Sequence, residues 1–260
     1  MAKLSLPTVT LCAAASVNVE ASLAALQTCV SQADFAECLF FTDAVIPAPL
    51  PGIRVVPTSR LSSGQAYSEF MLSQLAHYVR TTHCLIVQWD GFVLDAECWD
   101  PEFLSFDYIG APWPQFRDFH DVGNGGFSLR SRRLLAACRD PLFRKGHPED
   151  LAICRVNRKF LEREHEIRFA DRKTAERFAF ERTVPAGATF GFHGIFNMIP
   201  VLGAEHFWQI YRKLDDRSTV FVDYRLLMKQ LGSSGIATAR RAWLSLDLLL
   251  NWLNPNRRRS

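Results

Sequence analysis

The sequence predicts an α/β fold, a mixed and mainly parallel sheet flanked by helices, and three observations carry that reading. Short, near-continuous apolar runs such as His83-Cys84-Leu85-Ile86-Val87 recur along the first half of the chain; strands of this kind are covered on both faces. Segments of helical periodicity alternate with them, the order expected of βα units. Turn formers close the runs, as at Asp43 and at Trp89-Asp90-Gly91.

Taken in order, Thr8–Cys12 reads as a first strand. The Ala13-Ala14-Ala15 that follows faintly imitates a signal-peptide cleavage site, but the strand is the better reading. Val17–Ser31 has helical spacing, with Leu23, Leu26 and Val30 on one face. Glu37–Thr42 and Ile53–Val56 follow as strands, Ala66–Val79 as a helix and His83–Gln88 as a strand. In the second half Phe106–Gly110 and Phe127–Arg130 read as strands and Ser131–Cys138 as a helix. Pro148 suits the first turn of a helix reaching Glu164. Ile167–Ala170 reads as a late strand and Ala175–Glu181 as a short helix. Two regions are expected, 1–202 as the α/β domain and 203–260 as a helical extension, packed on it or associated with a membrane.

Composition narrows the function classes. A 260-residue chain with 48% hydrophobic and 22% charged residues is an ordinary globular protein with a sizeable core. Its net charge of +3 is too small to argue for nucleic acid. The seven cysteines form no CxxC pair and several lie in apolar runs, so reduced, buried thiols and a cytoplasmic location are expected. No apolar stretch approaches the roughly 20 residues a membrane span needs.

The segment richest in chemistry is Val122-Gly123-Asn124-Gly125-Gly126-Phe127-Ser128-Leu129-Arg130, followed by His147-Pro148-Glu149-Asp150. Glycines allow a backbone to approach a ligand closely or to take positive φ. A carboxylate pair opening a helix can act as general base, hydroxyl clamp or metal ligand, although acids there also simply complement the helix dipole. Asp43 and Asp90 fall at strand ends, where ligands of open α/β sheets bind.

These motifs occur in order with Gln88-Trp89-Asp90-Gly91-Phe92, Asp107-Tyr108-Ile109-Gly110-Ala111-Pro112-Trp113 and Phe190-Gly191-Phe192-His193-Gly194. Together they resemble a bacterial and fungal family placed near the GT-A glycosyltransferases, over about residues 60–195, and more distantly the inverting galactosyltransferases. The resemblance implies a GT-A-like (Rossmann-like) fold and transfer of a sugar from a nucleotide-diphosphate sugar, for instance a UDP-sugar, to a hydroxyl on a glycan or lipid-linked glycan, as in polysaccharide biosynthesis. It implies that Asp90 and His193 bind a divalent cation (Mn²⁺ or Mg²⁺) on the donor diphosphate. Gly125 and Gly126 would lie beside the donor sugar, and Asp150 would be the base. Gln88 stands where the first Asp of a DxD motif would be; an amide is the weaker metal ligand but can bond a ribose hydroxyl.

Beside these, Glu149 is a second catalytic candidate that would bind donor or acceptor hydroxyls, Trp89 is a candidate for donor binding, Asp43 for the nucleoside, and Trp113 for a sugar-stacking platform or a core position. The alternative is a non-catalytic GT-A-like sugar-binding or glycan-assembly protein. A metal-dependent hydrolase using His120, Asp121, His147, Asp150 and His193 is a third reading. At the C-terminus, Arg240–Leu253 followed by Arg257-Arg258-Arg259 suits a helix lying at an anionic membrane surface, peripheral to the inner membrane, as well as a packed terminal helix.

Overall fold

The computed structural model describes residues 3–233 and 238–253. It divides into two compact units, Met1–His193 and Gly194–Ser260. In the first, β1 (Leu4–Ala14), α1 (Val19–Gln32), β2 (Ala33–Thr42) and β3 (Arg54–Pro57) lead into α2 (Gly64–Glu69), which continues as a π-helical turn over Phe70–Gln74 and a 3₁₀ turn over Leu75–His77. Then come β4 (His83–Val87), β5 (Tyr108–Gly110), β6 (Phe127–Ser131), α3 (Arg132–Ala137), α4 (Glu149–Leu151), α5 (Arg158–Glu164), α6 (Arg172–Phe178), β7 (Ala179–Phe180) and β8 (Gly191–Phe192).

Six strands form one sheet in the order β3-β2-β1-β4-β6-β5. The first four run parallel, β6 runs antiparallel to β4, and β5 antiparallel to β6. This is the mixed, mainly parallel α/β sheet expected from the sequence. All five residues of β4 are buried, which is why its run is apolar without alternation. The chain winds outward from β1 to β3 and then crosses to β4 on the other side of β1. That reversal opens a crevice at the carboxyl ends of β1 and β4.

Several elements differ in detail from the periodicity. The buried face of α1 is Ser22, Ala25, Leu26 and Cys29, with Leu23 and Val30 only half-buried. The helix expected from Pro148 to Glu164 is interrupted: α4 passes into a π-helical turn over Ala152–Val156, and α5 restarts after Asn157. The Asn157 side chain bonds the backbone of Arg144 and Ala152 and so competes with the helix ladder. Ile167–Ala170 forms a single bridge, Tyr108↔Phe169, rather than a strand. The short late helix spans 172–178 rather than 175–181, because Asp171 caps it at Thr174 N and the chain turns extended at Ala179.

Asp107 pins the far side of the sheet. It accepts hydrogen bonds from Ser131 Oγ (2.5 Å), Arg133 Nη2 (2.6 Å) and Arg168 N (2.8 Å). Burial opposes its ionisation, but Arg133, Ser131 and the Arg168 N–H outweigh this and hold it below the usual carboxylate range. Asp107 therefore has a structural part in this motif, tying β5 to β6 and to the chain at Arg168. All seven cysteines are free and all but Cys98 are buried.

The second unit is helical: α7 (Ile195–Leu202), α8 (Ala204–Lys213), α9 (Tyr224–Ser233) and α10 (Thr238–Leu253). Phe207, Tyr211, Leu227, Leu231 and Leu244 form its buried interior. Among the described residues no helix is long and apolar enough to cross a membrane.

Candidate active site

Antiparallel pairing of β4 with β6 sets Val87 opposite Phe127. The segment leaving β4, Gln88-Trp89-Asp90-Gly91, and the segment entering β6, Gly123–Gly126, are thereby brought to one edge of the sheet. Gln88 and Gly91 close a tight turn with reciprocal backbone hydrogen bonds of 3.1 Å, and Trp89, half-buried, and Asp90 form its tip. Parallel pairing of β7 with β8 sets Phe180 beside Phe192, which brings Glu181 to His193.

His193 is the hub. Its Nε2 lies 3.4 Å from Asp90 Oδ1 and 3.3 Å from Gln88 Oε1. Its Nδ1 lies 3.4 Å from Glu181 Oε1 and 3.0 Å from Asn124 Nδ2. Burial disfavours a charged imidazole, but Asp90 and Glu181 overcome this and push its pKa up to about 10. Gln88 also donates to Tyr67 Oη at 3.1 Å, so its amide orients the imidazole and is itself held.

The glycines do not supply the positive φ that the sequence allows them. In the Gly123–Gly126 segment the positive φ belongs to Asn124, at 63°, and to none of the three glycines. What they supply is space for side chains. A Cβ on Gly126 would stand 2.0 Å from His193 Nε2, one on Gly125 would stand 2.3 Å from Glu149 Oε1, and one on Gly123 would stand 2.2 Å from the Trp113 ring. Gly126→Ala must therefore push the imidazole away from Asp90. It is expected to destabilise the protein by about 1–3 kcal/mol, measured by denaturant unfolding. A neutral effect would show that His193 is free to move.

The carboxylate pair is divided by burial. Glu149 is buried and directed inward, with Oε1 2.9 Å from Nη2 of the fully buried Arg130 and Oε2 3.5 Å from Ser68 Oγ. Its Oε1 is thus committed to Arg130. Asp150 is half-buried, its Oδ2 accepting from Gly125 N at 3.0 Å and its Oδ1 from Leu151 N at 2.7 Å. Burial and the neighbouring Glu149 charge raise its pKa to about 6 despite those two N–H donors and Arg130. Arg130 also donates to Gly125 O at 3.3 Å, so one strand residue ties the glycine segment to α4.

Trp113 is a core side chain, 5% exposed and packed edge-on to Phe116, so it offers no open face to a sugar. Asp43 is exposed just beyond β2, at the same carboxyl edge but two strands from β4. Two residues of the hydrolase reading pair elsewhere: Asp121 with Arg172 at 2.8 Å and His147 Nδ1 with Ser68 Oγ at 2.8 Å. Among the described residues no group of three or more His, Cys, Asp or Glu side chains could hold a metal ion by itself.

Every residue of this constellation lies within residues 52–193, the span matched by the model of a family described as a protein of unknown function (DUF5672). The chain belongs to the DUF5672 family. Asp43 lies outside the matched span, whereas Asp90, Gly125, Gly126, Glu149, Asp150 and His193 lie inside it. A solved structure described as a glycosyltransferase involved in the glycosylation of the major capsid of PBCV-1 is 9% identical, aligned over 79% of this chain and 100% of its own, at a TM-score of 0.44. A likeness of that degree says nothing of activity. No curated protein matches the chain.

Two contributors had no role assigned from the sequence, Glu181 because it lies outside the motifs and Arg130 although it ends one of them. Glu181 sits in an unremarkable Phe-Glu-Arg stretch, and only the β7–β8 register sets it beside His193. Arg130 reads as an ordinary strand-end residue; a lone cation flanked by buried strand positions was the one available signal.

Proposed function

We propose that this DUF5672 protein is a metal-assisted, inverting glycosyltransferase that uses a nucleotide-diphosphate sugar. One observation carries the proposal. A carboxylate with pKa about 6, Asp150, is hydrogen-bonded to the Gly125-Gly126 segment that His193 covers, and Asp90 adjoins that histidine at the carboxyl edge of the sheet. A raised carboxylate is a tuned base, and an adjacent carboxylate–imidazole pair suits a cation that arrives with phosphates.

The donor set fits that use. Asp90 and His193 offer an oxygen and a nitrogen from neighbouring side chains, too few for a closed metal site. They would suffice for a hard cation whose remaining positions are taken by diphosphate oxygens and water, once the imidazolium that Asp90 and Glu181 favour gives up its Nε2 proton to make way for the cation. When bound, the cation would neutralise the leaving diphosphate. Asp150 takes the proton from the acceptor hydroxyl as its oxygen attacks the anomeric carbon from the face opposite the diphosphate, and the C–O bond to the nucleotide breaks. Gly125 N–H and Leu151 N–H fix the direction of the Asp150 carboxylate. Gln88, Glu181 and Asn124 position His193, and the Arg130–Glu149 pair holds α4 to the glycine segment.

A panel of nucleotide-diphosphate sugars with Mn²⁺ tests the reading, with binding followed by calorimetry and the product anomer by NMR. At least one donor is expected to bind in a chelator-sensitive way. Asp90→Ala should weaken that binding by about tenfold or more while the fold persists. Donor binding indifferent to both chelator and Asp90→Ala would overturn the metal assignment. Chelator-sensitive binding with no transfer to any hydroxyl acceptor would favour a sugar-binding protein instead.

A further inference from the structure

The second unit carries a surface that the reaction does not use. Along α10, Trp243, Leu246, Leu249, Leu250 and Leu253 are between 42% and 61% exposed. Their spacing of three and four residues sets them on one side of the helix. The opposite side is packed within the unit. Leu244 is buried and Ser245 Oγ lies 2.8 Å from Tyr224 Oη, while Trp243, at the flank of the stripe, meets Trp208 edge-on. Packing therefore fixes the rotation of α10, and four leucines and an indole edge are left outward. The helix has one acid, Asp247, which is buried and accepts from Tyr211 Oη at 2.9 Å. No carboxylate interrupts the apolar stripe.

Charge indicates what this stripe meets. Residues 194–260 hold ten Lys and Arg against five Asp and Glu, a net +5, whereas the whole chain carries +3. The first unit is thus net acidic and the second strongly basic. Arg257, Arg258 and Arg259 follow the last residue of the stripe by only four to six positions; they lie outside the described residues and enter here as charge alone. A leucine and tryptophan stripe without acids, on a basic unit, complements a surface that is apolar below and anionic above.

We propose that α10 lies in the interface of an anionic lipid bilayer, with Leu246, Leu249, Leu250 and Leu253 entering the acyl boundary and the net positive charge of the second unit attracted to headgroup phosphates. The helix rests on the membrane and does not span it. This inference is independent of the reaction proposed above, because it concerns residues outside that site.

The test is co-sedimentation of the full-length protein, without nucleotide sugar, with phosphatidylcholine vesicles with and without phosphatidylglycerol. Binding is expected only with phosphatidylglycerol and should weaken as salt rises. Combined Leu246→Glu and Leu250→Glu should reduce it by about tenfold or more. Replacing Arg257, Arg258 and Arg259 with alanine should reduce it on the order of a hundredfold. The leucines are exposed, so circular dichroism is expected to be unchanged. Failure to bind either vesicle, or unaltered binding by the double glutamate variant, overturns the proposal. So does self-association that the same glutamates abolish in the absence of vesicle binding, since the stripe would then be covered by a second copy of the chain.

Discussion

Replacement of Asp150 by asparagine is expected to lower transfer on the order of a hundredfold or more while leaving donor affinity largely intact. The substitution keeps the shape of the side chain and removes its basic form. In the native protein, activity should rise with pH through about 6, where the carboxyl loses its proton, and this acid limb should vanish in the variant. Stability gives a second readout with a defined sign. A carboxyl whose pKa is raised in the folded state stabilises it below the ordinary aspartate pKa, and that contribution is lost as pH rises through about 6. Stability of the native protein relative to Asp150→Asn should therefore fall between about pH 4 and 7. Near-native transfer by the variant, or a flat difference across that range, would remove Asp150 from the role of base.

Glu149→Gln is expected to have the largest structural effect. Arg130 is fully buried and its charge is balanced at 2.9 Å by Glu149. An isosteric amide leaves that guanidinium without a counter-charge, which typically costs about 3–5 kcal/mol. Denaturant unfolding should show a loss near the lower end of that range, since the amide oxygen still accepts a hydrogen bond. The same change removes one of the two causes that raise the Asp150 pKa, so any residual activity should show its acid limb at lower pH. A loss below about 1 kcal/mol would mean that solvent reaches Arg130 on substitution.

The same two residues show how far the sequence could be read. Glu149 and Asp150 are adjacent acids at a helix start, and nothing in their order says which is spent on the core. Burial decides it. Glu149 turns toward Arg130, nineteen positions earlier in the chain, and Asp150 toward Gly125 N. Trp113 could equally have been a platform or a core side chain, and its ring fills the space left by Gly123. Asp90, Gly126 and His193 stood out as motif members, but their contact depends on two registers, β4 with β6 and β7 with β8.

From the sequence alone came the α/β class, the central strand β4, the carboxyl-edge location and the set of motifs that converge there. Those are consequences of apolar periodicity and turn chemistry, which are local and leave a linear trace. Tertiary structure alone decided that the glycines make room for an imidazole and a carboxylate, that Arg130 and Glu181 belong to the constellation, and which side of α10 is left outward. Each of these depends on contacts between residues distant in the chain, set by strand register and by the limited space of a close-packed interior.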